Sequence, residues 1–333
     1  MAAIEQVALR LHHALQSDAL PPEGRSIGQR LMRQLNQPTR IAMIGLAGSG
    51  KTNLINMLLG ARLMPDVDGI AAVELSFGDT ARWQVVMADG TIRTDEGVLD
   101  AALIPAQAVR FSQQLPDPRL KEWSFAEVTL SHARSEQDQL LDWMVKRSDI
   151  AIWCSQQFDD RERALWSQVP EHLKDHSFLA LTRADRLHMK GELTDRIARL
   201  QPIVADEFLC LFPIATLQAA SARKGGTEGN DGLWRSSGGK AFFEGIRQQV
   251  DQARTADLDH AYMLLERYKV VIPEQKQASQ NTPIQPPVAV DANPNRLAAV
   301  PLAKARASRK SSPDEVIHKA LNVLQGCADE LLS

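Results

Sequence analysis

The sequence predicts an α/β protein with a doubly wound sheet, in which mostly parallel strands alternate with helices. Two observations lead to this fold class. Short apolar runs at 150–154 and 178–182 alternate with amphipathic helical patterns, which is the order of a parallel sheet with crossover helices. A glycine-rich loop follows the first apolar run, 41–44, and leads into an apolar helix. Ligands of such sheets bind beyond the carboxyl ends of the strands, so we expect the functional site there.

Two amphipathic helices are predicted before the first strand, and we expect the segment 1–36 to brace the sheet domain. Their apolar residues recur at helical spacing. These residues are Val7, Leu9, Leu11 and Leu15 in the first helix, and Ile27, Leu31 and Leu35 in the second.

The loop after the first strand has the pattern of a P-loop. Gly45 is followed, after four residues, by Gly50, Lys51 and Thr52. Such a loop turns its amides towards phosphates, its lysine reaches the β- and γ-phosphates, and its threonine hydroxyl binds Mg²⁺. The alternative is a glycine-rich turn with a solvated lysine. We predict a nucleotide site, with Mg²⁺ on Thr52, at Gly45, Ala47, Gly48, Ser49, Gly50, Lys51, Thr52 and Asn53.

The rest of the sheet domain, 37–272, is read from apolar runs and turns. Runs at 71–77 and 83–87 are predicted to pair as an edge hairpin, with a turn at Asp89 and Gly90 after the second run. A helical insertion is expected from about 96 to 114. Strands are then predicted at 125–130, 150–154, 178–182 and 209–214, and a last helix at 240–268.

The carboxyl-terminal part has two compositions. Residues 273–311 are rich in Pro, Gln, Ala and Asn, which is linker composition. Residues 312–333 combine a helix-start signal at Ser312 and Pro313 with one apolar face. This amphipathic helix needs a surface that buries it. It docks on a protein partner or folds back on its own domain, and the residues leave both alternatives open.

Charge and cysteine usage exclude some classes of partner. The formal net charge is −3 at pH 7, which gives no overall attraction to nucleic acid. The three cysteines lack metal-ligand spacing, and no apolar run approaches the ~20 residues of a membrane span. We therefore expect a cytoplasmic protein without a transmembrane segment. Peripheral contact with an anionic membrane, or simple linker solubility, would explain the local basic patch of Lys304, Arg306, Arg309 and Lys310.

Four features together resemble the GTPase domain of bacterial dynamin-like proteins: the P-loop, the segment 55–65 that follows it and ends in Pro65, the predicted hairpin, and the apolar strand after Lys121, Glu122 and Trp123. The resemblance spans roughly residues 25 to 250. It implies a P-loop GTPase fold that binds GTP or GDP with Mg²⁺. It also implies another dynamin-like GTPase as a candidate partner of the terminal helix.

Guanine recognition in this family uses a motif of the form Asn/Thr-Lys-x-Asp after a strand. Here the strand ending at Leu181 is followed by Thr182, Arg183, Ala184 and Asp185. The resemblance implies that Asp185 accepts hydrogen bonds from the guanine base, while Arg183 replaces the family's lysine. The family's last motif, a Ser-Ala-like loop, corresponds to Ala215 and Thr216.

Two departures from the family concern hydrolysis. The family's switch threonine should follow Pro65, but the residues there are Asp66, Val67 and Asp68. The carboxylate of Asp66 or Asp68 either binds the metal or is simply solvated. The Asp-x-x-Gly motif should follow Leu130, but the residues there are Ser131, His132, Ala133 and Arg134. His132 and Arg134 are candidate catalytic residues at the γ-phosphate.

These departures predict weak hydrolysis, because positioning and charge neutralisation provide nearly all the rate of phosphoryl transfer. The first hypothesis is a pseudo-GTPase that binds guanine nucleotide and acts as a regulatory or scaffolding partner. The alternative is an active GTP hydrolase with rewired switches, activated by dimerisation or a partner GTPase, in a role such as membrane remodelling.

Overall fold

A computed structural model describes residues 2–17, 19–67, 69–130, 134–224 and 231–270. The predicted linker at 273–311 and helix at 312–333 lie outside this range. The α-helices are α1 Ala2–Gln16, α2 Pro22–Asn36, α3 Lys51–Leu59, α4 Arg134–Val145, α5 Asp160–Trp166, α6 Glu171–Lys174, α7 Ala184–Met189, α8 Leu193–Glu207, α9 Thr216–Lys224, α10 Asp231–Ser236 and α11 Gly239–Arg267. The strands are β1 Thr39–Leu46, β2 Ala72–Phe77, β3 Arg82–Met87, β4 Ile92–Glu96, β5 Ala108–Leu115, β6 Trp123–Leu130, β7 Ile150–Ser155, β8 Ser177–Thr182 and β9 Cys210–Ile214.

The nine strands form one sheet in the order β4-β3-β5-β2-β6-β1-β7-β8-β9. From β6 to β9 neighbouring strands are parallel, whereas β2 runs antiparallel to β6. The predicted α/β fold is therefore confirmed. Strand β1 lies between β6 and β7, so the loop after it opens at the carboxyl ends of three parallel strands.

The prediction that the runs at 71–77 and 83–87 pair with each other as an edge hairpin is wrong. Strand β5 lies between β2 and β3 and pairs with both. It also takes much of the place of the predicted helical insertion, which contains only the short 3₁₀ turn Ala101–Leu103. The predicted turn at Asp89 and Gly90 is present, but it joins β3 to β4.

A buried glutamine explains why β5 looked unlike a strand in the sequence. The side-chain amide of Gln113 donates to the carbonyl oxygens of Arg82, Gly97 and Gln114 at 2.9–3.1 Å. These bonds let a polar residue occupy an interior position of the sheet next to buried Phe111.

Helices cover both faces of the sheet, as a doubly wound fold requires. One apolar core lies between the sheet and helices α3, α9 and the first half of α11, and includes Leu54, Phe125 and Phe242. The core on the other face includes Val128 and Trp153, and helices α4, α5 and α8 contribute to it. The two cores fix the sheet from both sides, because successive side chains of a strand point to opposite faces.

The two predicted amino-terminal helices are present, and they pack mainly on the second half of α11. Leu11, Leu31, Ala261 and Leu265 form a third buried cluster that is separate from the sheet cores. Helix α11 thus connects the sheet to a three-helix bundle. No helix in the described part of the chain is long and apolar enough to cross a membrane.

Candidate nucleotide-binding site

The P-loop runs from the carboxyl end of β1 to the start of α3. Gly50 has φ 95°, a left-handed conformation that favours glycine, and it precedes the first residue of α3. A side chain at Gly45 would collide with the carbonyl oxygen of Cys154 on β7. The helix's first backbone bond runs from the Leu54 amide to the Gly50 carbonyl oxygen at 3.1 Å. The preceding amides of the first turn are therefore left for capping groups or a ligand, and the helix dipole favours an anion there.

Lys51 folds over this loop and is nearly enclosed. Its side chain is 2% exposed, and Nζ lies 3.9 Å from Oε1 of Glu127. Nζ also donates to the carbonyl oxygen of Leu46 at 2.9 Å. Burial lowers the pKa of Lys51, while the Glu127 carboxylate opposes that shift. The ammonium group therefore lies ready beside the loop, held by partners that an anionic ligand can replace.

Thr52 directs its hydroxyl towards the sheet. Its Oγ1 donates to Oε2 of Glu127 at 2.7 Å. Glu127 is on β6, next to β1 in parallel register with Met43. Burial raises the pKa of Glu127, whereas the Thr52 hydrogen bond and Lys51 lower it and Asp66 raises it further. A carboxylate, a hydroxyl and an ammonium group thus meet at the base of the loop.

These groups line a cleft of about 880 Å³ at the carboxyl ends of the parallel strands, a size typical of small-molecule sites. All predicted nucleotide-binding residues except Gly45 and Ser49 line it. The lining residues are Leu46, Ala47, Gly48, Gly50, Lys51, Thr52, Asn53, Asp66, Val67, Gly69, Ile70, Ala71, Glu127, Thr129, Leu130, Leu140, Thr182, Arg183, Asp185, Arg186, Thr216 and Leu217.

Thr182 joins the predicted base-reading motif to the P-loop. Its hydroxyl is buried and contacts the carbonyl oxygens of Ser49 at 2.7 Å and Ser155 at 3.2 Å. Its direct structural role is therefore to hold the loop against β7 and β8.

The remaining motif residues stand at the open side of the cleft. Arg183 is exposed, with φ 55°, and Asp185 is in the first turn of the short helix α7. Asp185 faces the same cleft as the P-loop. A carboxylate at this place is suited to accept hydrogen bonds from two neighbouring donors of a ligand.

Two buried hydroxyls of the predicted motifs have no hydrogen-bond partner among the described residues. They are Oγ of Ser49, which is in the loop but does not line the cleft, and Oγ1 of Thr216 after β9, in residues only 5% and 6% exposed. Buried polar groups are nearly always paired with protein, water or a ligand. Thr216 lines the cleft at the position of the family's last motif, so its free hydroxyl is consistent with a polar ligand there.

The structure brings only part of the predicted switch region to the site. Asp66 is exposed and lines the cleft, and Asp68 lies outside the described residues. So do Ser131, His132 and Ala133, while Arg134 is described only as the first residue of α4.

Mg²⁺ is the metal that the predicted fold implies, and the residues fit it in part. The Thr52 hydroxyl and the Glu127 carboxylate supply the hard oxygen donors that Mg²⁺ prefers. No cluster of three or more acidic, histidine or cysteine ligands occurs among the described residues. The protein would therefore hold Mg²⁺ together with phosphate oxygens rather than in a cage of its own.

Sequence reasoning missed Glu127 because it stands inside a strand. The loop after β6 is where the family's acid was expected. One signal was available, namely an acidic residue in the apolar run 125–130, two residues beyond buried Phe125 and on the same face of the strand. An acid on the core-facing side of such a run indicates a partner or a ligand, because a charged group enclosed without one costs free energy.

Comparisons with known structures support the fold. Two chains of an oligomerised bacterial dynamin pair, described as sensing and tethering membranes, match the protein with TM-scores of 0.55 and 0.54. The identities are 15% and 13%, and each match covers 80% of this chain. This confirms, at the level of fold, the resemblance drawn from residues 25 to 250.

The protein spans about half the length of those dynamin chains, which are covered to 55% and 47%. A GTP-binding protein from Sulfolobus solfataricus in complex with GDP matches at 13% identity and a TM-score of 0.34, over 76% of this chain and 67% of that one. This TM-score is too low to add to the fold assignment. No protein-family model and no curated protein matches the sequence.

Proposed function

We propose that the protein binds a guanine nucleotide in the cleft beyond β1, with Mg²⁺ at the phosphates. The observation that carries this proposal is the meeting of a complete P-loop and Asp185 in one cleft. The phosphates replace the Leu46 carbonyl oxygen as the partner of Lys51. The base then lies towards Asp185, whose carboxylate accepts from the two N–H donors at the guanine edge.

The proposed site holds the nucleotide without reading its γ-phosphate. Residues 66–73, directly after Pro65, contain no threonine, and residues 131–134, directly after Leu130, are not an Asp-x-x-Gly motif. Because these contacts provide the positioning that phosphoryl transfer needs, hydrolysis is slow or absent. The nucleotide is then a structural ligand, and the protein acts as a regulatory or scaffolding partner.

Nucleotide titration tests this proposal. Protein stripped of nucleotide is titrated with fluorescent GDP and with a non-hydrolysable GTP analogue. We expect 1:1 binding with dissociation constants that agree within about threefold, or ~0.7 kcal/mol. A preference of tenfold or more for the triphosphate would show that the chain reads the γ-phosphate, and the absence of binding to both would refute nucleotide binding.

A second candidate function is an active GTP hydrolase that requires dimerisation or a partner. The observation in its favour is Glu127, which places an acid beside Thr52 despite the altered loop. Phosphate release in Mg²⁺ separates the two candidates. Turnover per protein molecule that rises with protein concentration supports the hydrolase, and a flat, near-zero rate supports the binding protein.

The partner is proposed from the dynamin pair and from the terminal helix. That pair is oligomerised, and the helix predicted from the sequence of residues 312–333 would carry an apolar face that needs burial. We expect this helix to dock on a second dynamin-like GTPase in the cytoplasm, with any membrane contact peripheral. Pull-down of the second dynamin-like GTPase should fail when residues 312–333 are deleted. Co-sedimentation with anionic vesicles measures any membrane contact separately.

A further inference from the structure

Glu127 stands at the point where the sheet core ends and the cleft begins. It lies on the α3 face of β6, and the preceding residues on that face, Trp123 and Phe125, belong to the apolar core. The next residue on that face, Thr129, lines the cleft together with Glu127. The carboxyl group is therefore placed at the floor of the cleft, below the P-loop.

This position costs free energy unless the carboxyl group has partners. The Glu127 side chain is 13% exposed, and an ionised group so enclosed needs hydrogen bonds and opposite charge. Thr52 and Lys51, the two P-loop residues with functional side chains, provide them at 2.7 Å and 3.9 Å. The largely enclosed Glu127 carboxyl group thus contacts the predicted phosphate-binding residues Thr52 and Lys51.

The Thr52 bond leaves that hydroxyl able to bind a cation. A hydroxyl has one donor and two acceptor lone pairs. Thr52 uses its donor on Glu127, so its lone pairs stay available, and the neighbouring carboxylate adds negative charge. A hydroxyl and a carboxylate in contact form the part of a Mg²⁺ site that a protein contributes when phosphates complete it.

The unpaired hydroxyl of Thr216 gives independent evidence for a polar ligand in this cleft, which Thr216 lines. The residue is only 6% exposed. It follows β9 and is not on β6, so this observation does not depend on Glu127.

We propose that Glu127 acts with Thr52 to hold the Mg²⁺ ion of the bound nucleotide, so that the metal acid comes from within strand β6 instead of from the loop after it. This inference rests on the proposed nucleotide binding. It assigns Glu127 to the metal and not to the reacting phosphate, so it holds whether or not the chain hydrolyses GTP.

The test measures GDP affinity in Mg²⁺ and in EDTA for the full chain and two variants. In the unchanged protein, Mg²⁺ tightens GDP binding by about tenfold or more. Glu127→Gln loses that gain, since an acid beside the metal supports affinity by about 10- to 100-fold. Its affinity in EDTA is unchanged or higher, because a negative charge near the phosphates has been removed. Binding of Mn²⁺ to the GDP complex, followed by electron paramagnetic resonance, falls in parallel.

Glu74→Gln is the matched control. Glu74 is on β2, adjacent to β6, and burial raises the pKa of its carboxyl group as it does for Glu127. Glu74 is not among the residues that line the cleft. It should keep the full Mg²⁺ gain. If Glu127→Gln does not fold, Glu127→Asp replaces it, because the shorter side chain keeps the charge but withdraws it from Thr52.

An equal Mg²⁺ gain in the unchanged protein and in Glu127→Gln would overturn the inference, as would the absence of any Mg²⁺ gain in the unchanged protein. Either result leaves GDP binding itself intact. If the unchanged protein binds no GDP in Mg²⁺ or EDTA, the proposed function fails, and the role of Glu127 fails with it.

Discussion

The two ends of the cleft differ in how firmly their side chains are held. At the P-loop, the proposed phosphate end, Lys51 is buried and contacts Leu46 and Glu127, and Thr182 fixes the loop through the Ser49 carbonyl oxygen. Around Asp185, the proposed base end, Arg183 and Arg186 are exposed, and Leu217 is 74% exposed.

This difference indicates where binding free energy and selectivity arise. Prearranged groups bind without loss of side-chain freedom, whereas exposed side chains must be ordered when the ligand arrives, at about 0.5–1.5 kcal/mol each. We therefore expect most of the affinity to come from the phosphates, and a modest preference among bases. Four substitutions test this division.

Lys51→Ala should have the largest effect. It removes a charge-assisted contact to the phosphates, worth about 1.5–3 kcal/mol, so affinity for GDP falls by about 10- to 150-fold. Calorimetric titration measures the loss. Lys174→Ala is the control, because Lys174 is also nearly buried, 9% exposed, and pairs with Glu171 and Glu207 far from the P-loop. Equal GDP affinity in Lys51→Ala and the unchanged protein would show that Lys51 does not contact the phosphates.

Asp185→Ala should lower guanine preference by about tenfold, or ~1.4 kcal/mol, and leave phosphate binding intact. Competition between GDP, IDP and ADP measures it. IDP lacks the exocyclic amine of guanine, so it should bind the unchanged protein more weakly than GDP does. Asp185→Ala should bind IDP and GDP with equal affinity. An undiminished preference for GDP in the variant would show that the base is read elsewhere.

Thr182→Val should loosen the phosphate end indirectly. The carbonyl oxygens of Ser49 and Ser155 lose a donor, which destabilises the fold by about 1–2 kcal/mol. The affinities for GDP, IDP and ADP all fall by the same factor, about threefold to fivefold. Chemical denaturation and titration together report the two effects. Thr182→Ser keeps the hydroxyl and should recover most of both losses, whereas a change in base preference would contradict a bracing role.

Arg183→Lys should have the smallest effect, at most about twofold, or ~0.4 kcal/mol, on GDP affinity. Both residues carry an apolar stem and a positive charge, and Arg183 is exposed. A rise of tenfold in guanine affinity would mean that the arginine impairs the base end. The same GDP and ADP competition measures it.

Local patterns were enough for the centre of the fold and for the phosphate end of the site. Residues 41–59 contain strand, loop and helix in one continuous stretch, so their order reveals the P-loop without knowledge of distant contacts. The alternating segments from β7 to β9 were recognised for the same reason.

Long-range pairing explains what sequence reasoning missed. The identity of β5 depends on its place between β2 and β3 and on buried Gln113, which bonds to backbone 16 and 31 residues away. Glu127 comes beside Thr52 only because β6 pairs with β1, and the two residues are 75 positions apart. No local window contains either relationship.

Amide hydrogen exchange with and without GDP shows where the nucleotide binds as well as whether it binds. With GDP and Mg²⁺, we predict the strongest protection in peptides covering 46–54, weaker protection at 183–186, and no change at 82–96 on the far sheet edge. In Lys51→Ala the same GDP concentration should leave 46–54 unprotected. Protection confined to other parts of the chain, or none at 46–54 in the unchanged protein, would contradict a nucleotide site in this cleft.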